Sequence, residues 1–429
     1  MKIYTYSKLS KYKVDELCSR QIADDPEVEK TVSSIISAVR SEGDAGVKRF
    51  DAQFGNGKVA PSVLDEHGIQ LIAENIDPTL RSAIDAAAGN IRKFHMSQCT
   101  PEPVIETLPG VTCWRKAVAI NKVGLYVPGG TAILPSTLLM LGIPATIAGC
   151  REIIVCTPPD QEGRVNAAIA YAAISLGITR IHLTGGAQAI AAMAYGTETI
   201  PKTDKIFGPG NRYVTAAKTL VQKDVAIDMP AGPSEVLIIA DDTAIPSFVA
   251  ADLLAQAEHG IDSQAILVCT SSNMLNAVEE EINLQLATLP RADIARKALE
   301  NSFFMLTSSL NEAFEFSNIY APEHLILALE NYEQFVDMIE NAGSVFLGNL
   351  TPESAGDYAS GTNHTLPTGG FAKAYSGVSV DSFVKKITFQ RITGAGLQNI
   401  GETVEVLAAA EGLEAHKKAI TIRKEYNGH

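Results

Sequence analysis

The chain of 429 residues has few aromatic side chains and no excess of positive charge, and both features limit the classes of function that the protein can have. Phe, Tyr and Trp make up 6% of the residues, and 49 acidic residues against 35 Lys and Arg give a net charge of −14. No basic run is dense enough to follow a phosphate backbone, which argues against nucleic acid and anionic membranes as partners. At 46% apolar content the chain can bury more than one core, so we expect about three domains and small-molecule chemistry.

The sequence also lacks C-x-x-C spacing and an apolar N-terminal core of the kind that a signal peptide has. The six cysteines are therefore interpreted as reduced thiols of a cytoplasmic protein. They are Cys18, Cys99, Cys113, Cys150, Cys156 and Cys269.

One segment, residues 123–150, lacks charge altogether and is long enough to cross a bilayer. Pro128, Pro135, Pro144 and the Gly129-Gly130 pair interrupt it. We therefore expect a short strand, a turn and a helix buried inside an α/β domain.

The pattern along the chain predicts an α/β fold. Residues 1 to about 100 have a polar, helical pattern, whereas short β-branched runs alternate with Ala-rich helices from Val123 onward, which is typical of a parallel sheet covered on both faces. The strand runs are GLYV, EIIVCT, RIHLTGG and KIF, followed by EVLIIAD, QAILVCT, FFMLTSS, HLILAL and SVFLGN. We expect a helical region at 1–110, two similar α/β domains at 111–231 and 232–376, and at 377–429 a helical tail that packs on its own chain or on a partner.

A complete dinucleotide fingerprint, G-x-G-x-x-G, is missing, because GPGNRY at 208–213 lacks the third glycine. Three glycine-rich loops nevertheless follow successive strands: YVPGG at 126–130, LTGGAQA at 183–189 and FGPGN at 207–211. Each leads toward a helix whose free N–H groups could face a pyrophosphate. Either a nucleotide site or three structural turns would explain them.

Titratable residues are concentrated in the second half. Glu323 and His324 are adjacent and could carry two separate protons, and a helix beginning there would keep His324 neutral. Asp357 and His364 lie in a polar run, residues 354–370, that has almost nothing to pack and favours a functional loop.

The string DLLAQAEHGIDSQ, residues 252–264, places Gln256 and His259 on one side of a helix that ends near Gly260. Together with Asp357 and a further histidine such as His416, they would suit Zn²⁺. Satisfied structural histidines are the alternative, and glutamine is an unusual zinc ligand.

Several of these strings together resemble the L-histidinol dehydrogenase family, in the same order from about residue 30 to the C-terminus. They are FGPGN, GPSEVLIIAD, DLLAQAEHGIDSQ, YAPEHL, SAGDYASGTNHTLPT and AAAEGLEAH. The resemblance implies two incomplete Rossmann-like parallel-sheet domains, aldehyde/histidinol dehydrogenase-like, and an NAD-dependent four-electron oxidation of L-histidinol through the aldehyde to L-histidine, the last step of histidine biosynthesis.

The resemblance also implies a set of site residues with one Zn²⁺ per subunit. Glu323 and His324 match the acid/base pair, with His324 taking the alcohol proton and Glu323 activating water. The zinc ligands match Gln256, His259, Asp357 and His416. The substrate contacts match those four residues, His324, and also Ser234, His364 and Glu411. The NAD contacts match Tyr126, Gln188 and Asn211.

A domain-swapped homodimer, in which the C-terminal arm brings Glu411 and His416 to the partner's site, is a further implication. Competing interpretations are a relative of the same fold acting on another alcohol such as a sulfonated diol, a zinc hydrolase without a nucleotide, and a non-catalytic binding protein. A covalent intermediate on Cys113 or Cys150 is disfavoured because the family resemblance assigns the chemistry to the Glu323–His324 pair.

Overall fold

The protein is described by a computed structural model that covers residues 1–20, 26–54, 63–129, 134–160, 162–230 and 232–426. The strands are β1 (Lys2–Thr5), β2 (Val63–Asp65), β3 (Ile105–Leu108), β4 (Val111–Ala119), β5 (Lys122–Tyr126), β6 (Glu152–Cys156), β7 (Arg180–His182), β8 (Lys205–Phe207), β9 (Ala226–Ile227), β10 (Glu235–Ala240), β11 (Gln264–Cys269), β12 (Phe303–Leu306), β13 (His324–Ala328), β14 (Ser344–Leu347) and β15 (Val384–Ile392). The α-helices are α1 (Lys11–Cys18), α2 (Pro26–Glu42), α3 (Asp44–Phe54), α4 (Glu66–Ala73), α5 (Pro78–Met96), α6 (Pro135–Ala148), α7 (Ala167–Ser175), α8 (Gly186–Tyr195), α9 (Arg212–Val221), α10 (Pro246–Ala257), α11 (Ser272–Leu286), α12 (Ala292–Glu300), α13 (Leu310–Tyr320), α14 (Glu353–Tyr358), α15 (Gly394–Ala410) and α16 (Glu414–Glu425).

Two six-stranded sheets share one topology. The first has the order β2-β7-β6-β5-β8-β9 and the second β1-β12-β11-β10-β13-β14. In each, five parallel strands follow the chain order 3-2-1-4-5, which is the Rossmann order without its sixth strand. This confirms the expectation of two similar, incomplete Rossmann-like units.

The strand sequences explain the layers. All six residues of β10 are buried, and helices cover both faces, so the strand is apolar throughout instead of alternating. The uncharged segment 123–150 folds as expected, with β5 leading into α6, whose residues from Ser136 to Ala145 are all buried. No helix within the described ranges is long and apolar enough to cross a membrane.

The N-terminal region is not purely helical, so that expectation was wrong. β1 pairs in parallel with β12, and β2 pairs antiparallel with β7, so each adds a strand to the same edge of its sheet. Tyr4 of β1 packs against Phe303 of β12 with ring centroids 5.5 Å apart. Such short edge strands depend on pairing with residues far away in the chain, which local pattern does not reveal. The glycine-rich bend in FGNGK lies mostly outside the described residues.

The C-terminal region also begins differently from the prediction. The stretch expected to start a helical tail forms β15, which pairs along its length with β4 of the same chain in a three-stranded antiparallel sheet. The helices α15 and α16 then pack on each other, with Lys424 and Thr421 both bonded to Glu405. They leave much apolar surface exposed, including Val406 and Leu407 at 62% and 59%.

Candidate active site

Gln256 and His259 lie at the end of α10, close to where the sequence predicted. The helix ends at Ala257, three residues before Gly260, with Glu258 as its C-cap. Gln256 is fully buried, and neither its amide oxygen nor its amide nitrogen has a hydrogen-bond partner among the described residues. Because an unsatisfied buried amide is costly, this side chain is suited to a ligand that the protein itself does not supply.

A group of potential metal ligands lies at the same place. One ligand atom from each of His259, Glu353 and Asp357 falls within 4.8 Å of the others. Glu353 and Asp357 lie four residues apart on α14, so both carboxylates project from one side of that short helix. The nitrogen and carboxylate donors, with the orphaned amide of Gln256, fit a Zn²⁺ ion.

His324 lies beside these carboxylates. Its Nδ1 is 3.7 Å from Oε1 of Glu353 and 3.7 Å from Oε2 of Glu323, while its Nε2 is 3.5 Å from Oδ1 of Asp357. Nδ1 also lies 3.1 Å from the backbone oxygen of Glu235. The two sequence-predicted sites, the acid/base pair and the metal cluster, therefore form one site.

The electrostatics of His324 contradict one expectation. His324 begins strand β13, so no helix dipole acts on it. Desolvation alone would lower its pKa, but the neighbouring carboxylates, led by Glu353, raise that pKa well above its usual value. The prediction that a helix start keeps His324 neutral was wrong, because the chain after Pro322 extends into the second sheet.

The carboxyl groups respond to burial in different ways. Desolvation raises the pKa of Glu323 to about 8 and that of Glu353 to about 8. Desolvation also acts on Asp357, but contact with His324 outweighs it and lowers the pKa. Desolvation lowers the pKa of His259 and that of His364. His259 nevertheless keeps part of its side chain exposed. Two carboxyls poised near neutrality beside an imidazole can exchange protons with a bound substrate.

His364 and Ser234 lie around the same cluster. His364 Nε2 is buried without a hydrogen-bond partner, and its charge interactions are with Asp357, His324 and His259. Ser234 directly precedes β10, next to Glu235. The predicted site residues of the described chain lie just before β10, β11 and β13 or in the segment after β14. Ser234 precedes β10, Gln256 and His259 precede β11, Glu323 and His324 are at the start of β13, and Asp357 and His364 follow β14.

Glu411 and His416 are the exceptions. Glu411 caps the end of α15, His416 lies in the first half of α16, and both are exposed. Within the described ranges, the ligand group consists of His259, Glu353 and Asp357 and does not include His416. A single chain does not bring these two residues to the site.

The predicted nucleotide loops lie at the carboxyl ends of the first sheet. The Tyr126 hydroxyl accepts the N–H of Gly186 at 3.0 Å, which joins the loop after β5 to the loop after β7. Gly208 has φ +129°, and a Cβ there would lie 2.1 Å from the Tyr126 carbonyl oxygen, so only glycine fits. This close approach is at the switch point between β5 and β8, where ligands of such sheets bind. Gly130 lies outside the described residues.

Gln188 and Asn211 each hold a loop in place. Gln188 is buried on α8 and donates from Nε2 to Oδ1 of Asp51 at 2.9 Å, and the same oxygen accepts the hydroxyl of Thr184 at 2.8 Å. Asn211 caps α9, its Oδ1 accepting the N–H groups of residues 213 and 214 at 3.1 and 3.2 Å. The α9 N-terminus is thereby fixed beside FGPGN.

Sequence reasoning missed several residues of the site. Glu353 could have been found from its spacing of four to Asp357. Asp51 and Glu235 gave no local signal, because the residues that they contact are distant in the chain. Cys150, which was considered and rejected as a nucleophile, has a pKa raised to about 11 by burial, in keeping with that rejection.

A family model described as histidinol dehydrogenase matches residues 18–424. The chain belongs to the histidinol dehydrogenase family. The histidinol dehydrogenase of Bacteroides thetaiotaomicron is 56% identical over 424 residues, covering 99% of each chain. The chloroplastic histidinol dehydrogenase of Arabidopsis thaliana is 52% identical to this chain over 427 residues, which cover 99% of this chain and 91% of the plant protein.

A solved structure of the family has the same fold. Histidinol dehydrogenase from Elizabethkingia anophelis superposes with a TM-score of 0.95 at 51% identity, over 99% of this chain and 98% of that one. Membership in this family favours an oxidoreductase over the zinc hydrolase and the non-catalytic binding protein considered from the sequence.

Proposed function

We propose that this chain is a histidinol dehydrogenase that uses NAD to oxidise L-histidinol through L-histidinal to L-histidine, the last step of histidine biosynthesis. Full-length relatives at 52–56% identity carry that name. The observation that carries the chemical part of the proposal is the buried Gln256, whose amide has no hydrogen-bond partner within the described part of the chain. Its helix α10 packs against α14, which carries Asp357, and Asp357 in turn lies next to His259 and His324. This combination suits a metal-assisted oxidation of a polar substrate.

The proposed ligands of one Zn²⁺ per subunit are Gln256, His259 and Asp357, completed by His416. A zinc ion held there would supply a Lewis acid for the substrate, and its positive charge would offset the effect of the carboxylates that raise the pKa of His324. Glu353, whose ligand atom lies within 4.8 Å of those of His259 and Asp357, is a further carboxylate donor that a divalent cation would bring to its charged form. His364 and Ser234 are proposed to contact the substrate next to these ligands.

His324 is the proposed base of the first oxidation. It removes the proton from the hydroxyl of histidinol while the alcohol carbon gives its hydride to the nicotinamide of NAD, which leaves the aldehyde, NADH and one proton. The backbone oxygen of Glu235, 3.1 Å from Nδ1, orients the ring and leaves Nε2 available to the substrate side.

Glu323 is the proposed base of the second oxidation. It removes a proton from water as the water oxygen bonds to the aldehyde carbon, and the resulting hydrate gives a second hydride to a second NAD to form the carboxylate. A carboxyl whose pKa is raised to about 8 by burial accepts a proton near neutral pH. Its Oε2 is held by the backbone N–H of Glu235 at 2.8 Å.

Tyr126, Gln188 and Asn211 are the proposed NAD contacts. Their loops meet at the carboxyl ends of the first sheet, and the hydrogen bonds from Gly186 to Tyr126 and from Gln188 to Asp51 hold them in place. The N-terminus of α9 after FGPGN offers N–H groups to a phosphate.

A homodimer is proposed to complete the site. The α15–α16 pair exposes apolar side chains that a second copy could cover, and Glu411 and His416 lie on this exposed pair. The arm of each chain would then deliver both residues to its partner. A cytoplasmic location remains part of the proposal, and the plant relative's name shows that location varies within the family.

The test is NADH formation from L-histidinol by the purified protein before and after chelation. We expect two NADH per histidinol, loss of activity on chelation and recovery with Zn²⁺. Absence of NADH from histidinol with folded, zinc-loaded protein would contradict the substrate assignment, and oxidation of a different alcohol under the same conditions would replace it.

A further inference from the structure

Arg20, just beyond α1, reaches into the second α/β unit and makes three kinds of contact there. Its guanidinium carbon lies 3.6 Å from the ring centroid of Tyr320. Its Nη1 lies 3.0 Å from Oε2 of Glu235, and Nη2 donates to the backbone oxygens of Tyr320 and Ala321. The side chains of Arg20 and Glu235 are 11% and 3% exposed, so this ion pair is shielded from water. A planar guanidinium can make all of these contacts at once, whereas an ammonium cannot.

Glu235 connects Arg20 to the acid/base pair. As the first residue of β10, it donates its backbone N–H to Oε2 of Glu323 at 2.8 Å, and its backbone oxygen lies 3.1 Å from Nδ1 of His324. Its other carboxylate oxygen accepts the N–H of Gly369 in the polar loop at 2.8 Å. Any movement of Glu235 therefore reaches Glu323, His324 and the loop that follows Asp357.

The chain between Tyr320 and Glu323 is the second connection. Ala321 has φ +53° and is the one non-glycine residue with a left-handed backbone among those described. L-residues adopt this conformation at an energetic cost, so it needs support from its surroundings. Arg20 binds the carbonyls of residues 320 and 321 on this turn, and Glu323 and His324 follow it directly.

We propose that Arg20 is a positioning residue for the Glu323–His324 pair, acting through Glu235 and through the turn at Ala321. It touches neither of the two proton-carrying side chains. It neutralises the buried Glu235 and fixes the turn, so that both groups point at the substrate. The proposal rests on the proposed function of the pair. It adds a residue near the N-terminus to the residues that position the Glu323–His324 pair.

The test compares R20M, which removes the charge and the donors, with R20K and the wild type. For R20M we expect kcat to fall at least tenfold, while KM for histidinol, KM for NAD and bound zinc stay within about twofold of wild type. R20K keeps a positive charge for Glu235 and should recover part of the lost kcat. R40M is the matched control, because Arg40 also lies over a tyrosine, Tyr195, but on the surface of the first unit, and it should keep wild-type kinetics.

The outcomes separate this proposal from the proposed function. No NADH from the wild type with histidinol would overturn the proposed function itself. An active wild type with R20M folded and unchanged in kcat would overturn the positioning role. If R20M fails to fold, R20K decides: a reduced kcat at unchanged KM values supports the role, and wild-type kinetics contradicts it. A loss confined to thermal stability, or one that raises KM as much as it lowers kcat, also contradicts it.

Discussion

Oε1 of Glu353 lies 3.7 Å from Nδ1 of His324, and both side chains are buried. With Glu323 and Asp357 also near the ring, three carboxyl groups surround one imidazole at the amino end of β13. Burial raises the pKa of Glu323 and that of Glu353 to about 8, so these two carboxyls lose their charge near neutral pH unless a further positive charge stabilises it. A divalent cation would provide that positive charge, and the first prediction follows from that need.

Gln256→Leu tests the orphaned amide. Removing a buried amide that lacks partners should stabilise the zinc-free protein by about 1 to 3 kcal/mol, because leucine fills a similar volume without an unmet hydrogen bond. The increase in Tm on adding Zn²⁺ should be smaller than in the wild type, since a ligand is missing. Thermal unfolding at several zinc concentrations measures both effects. An unchanged zinc-dependent shift would contradict the ligand role.

Asp51→Ala tests the support of the nucleotide loops. Thr184 and Gln188 both donate to one oxygen of Asp51, so its loss frees the loop after β7. KM for NAD should rise about tenfold, with KM for histidinol and kcat near wild type. Asp85→Ala is the control, because Asp85 accepts a hydroxyl from Tyr171 far from these loops. Equal effects of the two substitutions would argue against the NAD role of this loop.

Much of the fold could be predicted because most strands of the two parallel sheets are short apolar runs, such as EVLIIA, that lead into a helix. The edge strand β1 could not be predicted, since only its pairing with β12 makes it a strand.

The position of the site in the fold could not be predicted either. In open parallel sheets ligands bind at carboxyl ends, and the glycine-rich loops obey that rule, whereas Glu323 and His324 lie at the amino end of β13.

The candidate site was predicted as far as residues with local spacing allowed. Gln256 and His259 are three residues apart, and the helix that the sequence predicted before Gly260 is present and ends at Ala257. Convergence with Asp357, almost 100 residues later, is a property of the sheet topology and could be named only through family resemblance. Arg20 and Glu235 come together from opposite ends of the chain, and no local pattern connects them.

Asp252→Asn tests the pH dependence of stability in the zinc-free protein. Desolvation raises the pKa of Asp252 from 3.8 to about 7 in the folded state. A raised folded pKa means that the carboxyl's contribution to stability is fully present below about pH 4 and is lost as the pH rises through 7. The gain in stability of the variant over the wild type should therefore be larger at pH 8 than at pH 5, by on the order of 2 kcal/mol.

Urea unfolding of zinc-free protein at both pH values measures this difference. Asp262→Asn, at an exposed aspartate, is the control and should show no such change between pH 5 and pH 8. A gain for D252N that is equal at the two pH values would contradict the assignment of the raised pKa to Asp252.

Mixing two inactive variants tests whether the arm acts on a partner. His259→Ala destroys the ligand set of its own chain but keeps a complete arm, and His416→Ala does the reverse. If arms are exchanged, a mixed dimer has one complete site, so co-refolded variants should recover about a quarter of wild-type activity. Each variant refolded alone should stay inactive. Continued inactivity of the mixture would show that His416 serves its own chain, and activity of His416→Ala alone would show that it serves no site.

The measurement that tests the account most directly is the number of NADH formed per histidinol by Glu323→Gln with enzyme in excess. Wild type and Glu330→Gln, an exposed control just beyond the carboxyl end of β13, should give two. Glu323→Gln should give close to one, because the first oxidation depends on His324 while the water for the second is no longer activated. Two NADH formed by Glu323→Gln at the wild-type rate would contradict the division of work between these two adjacent residues.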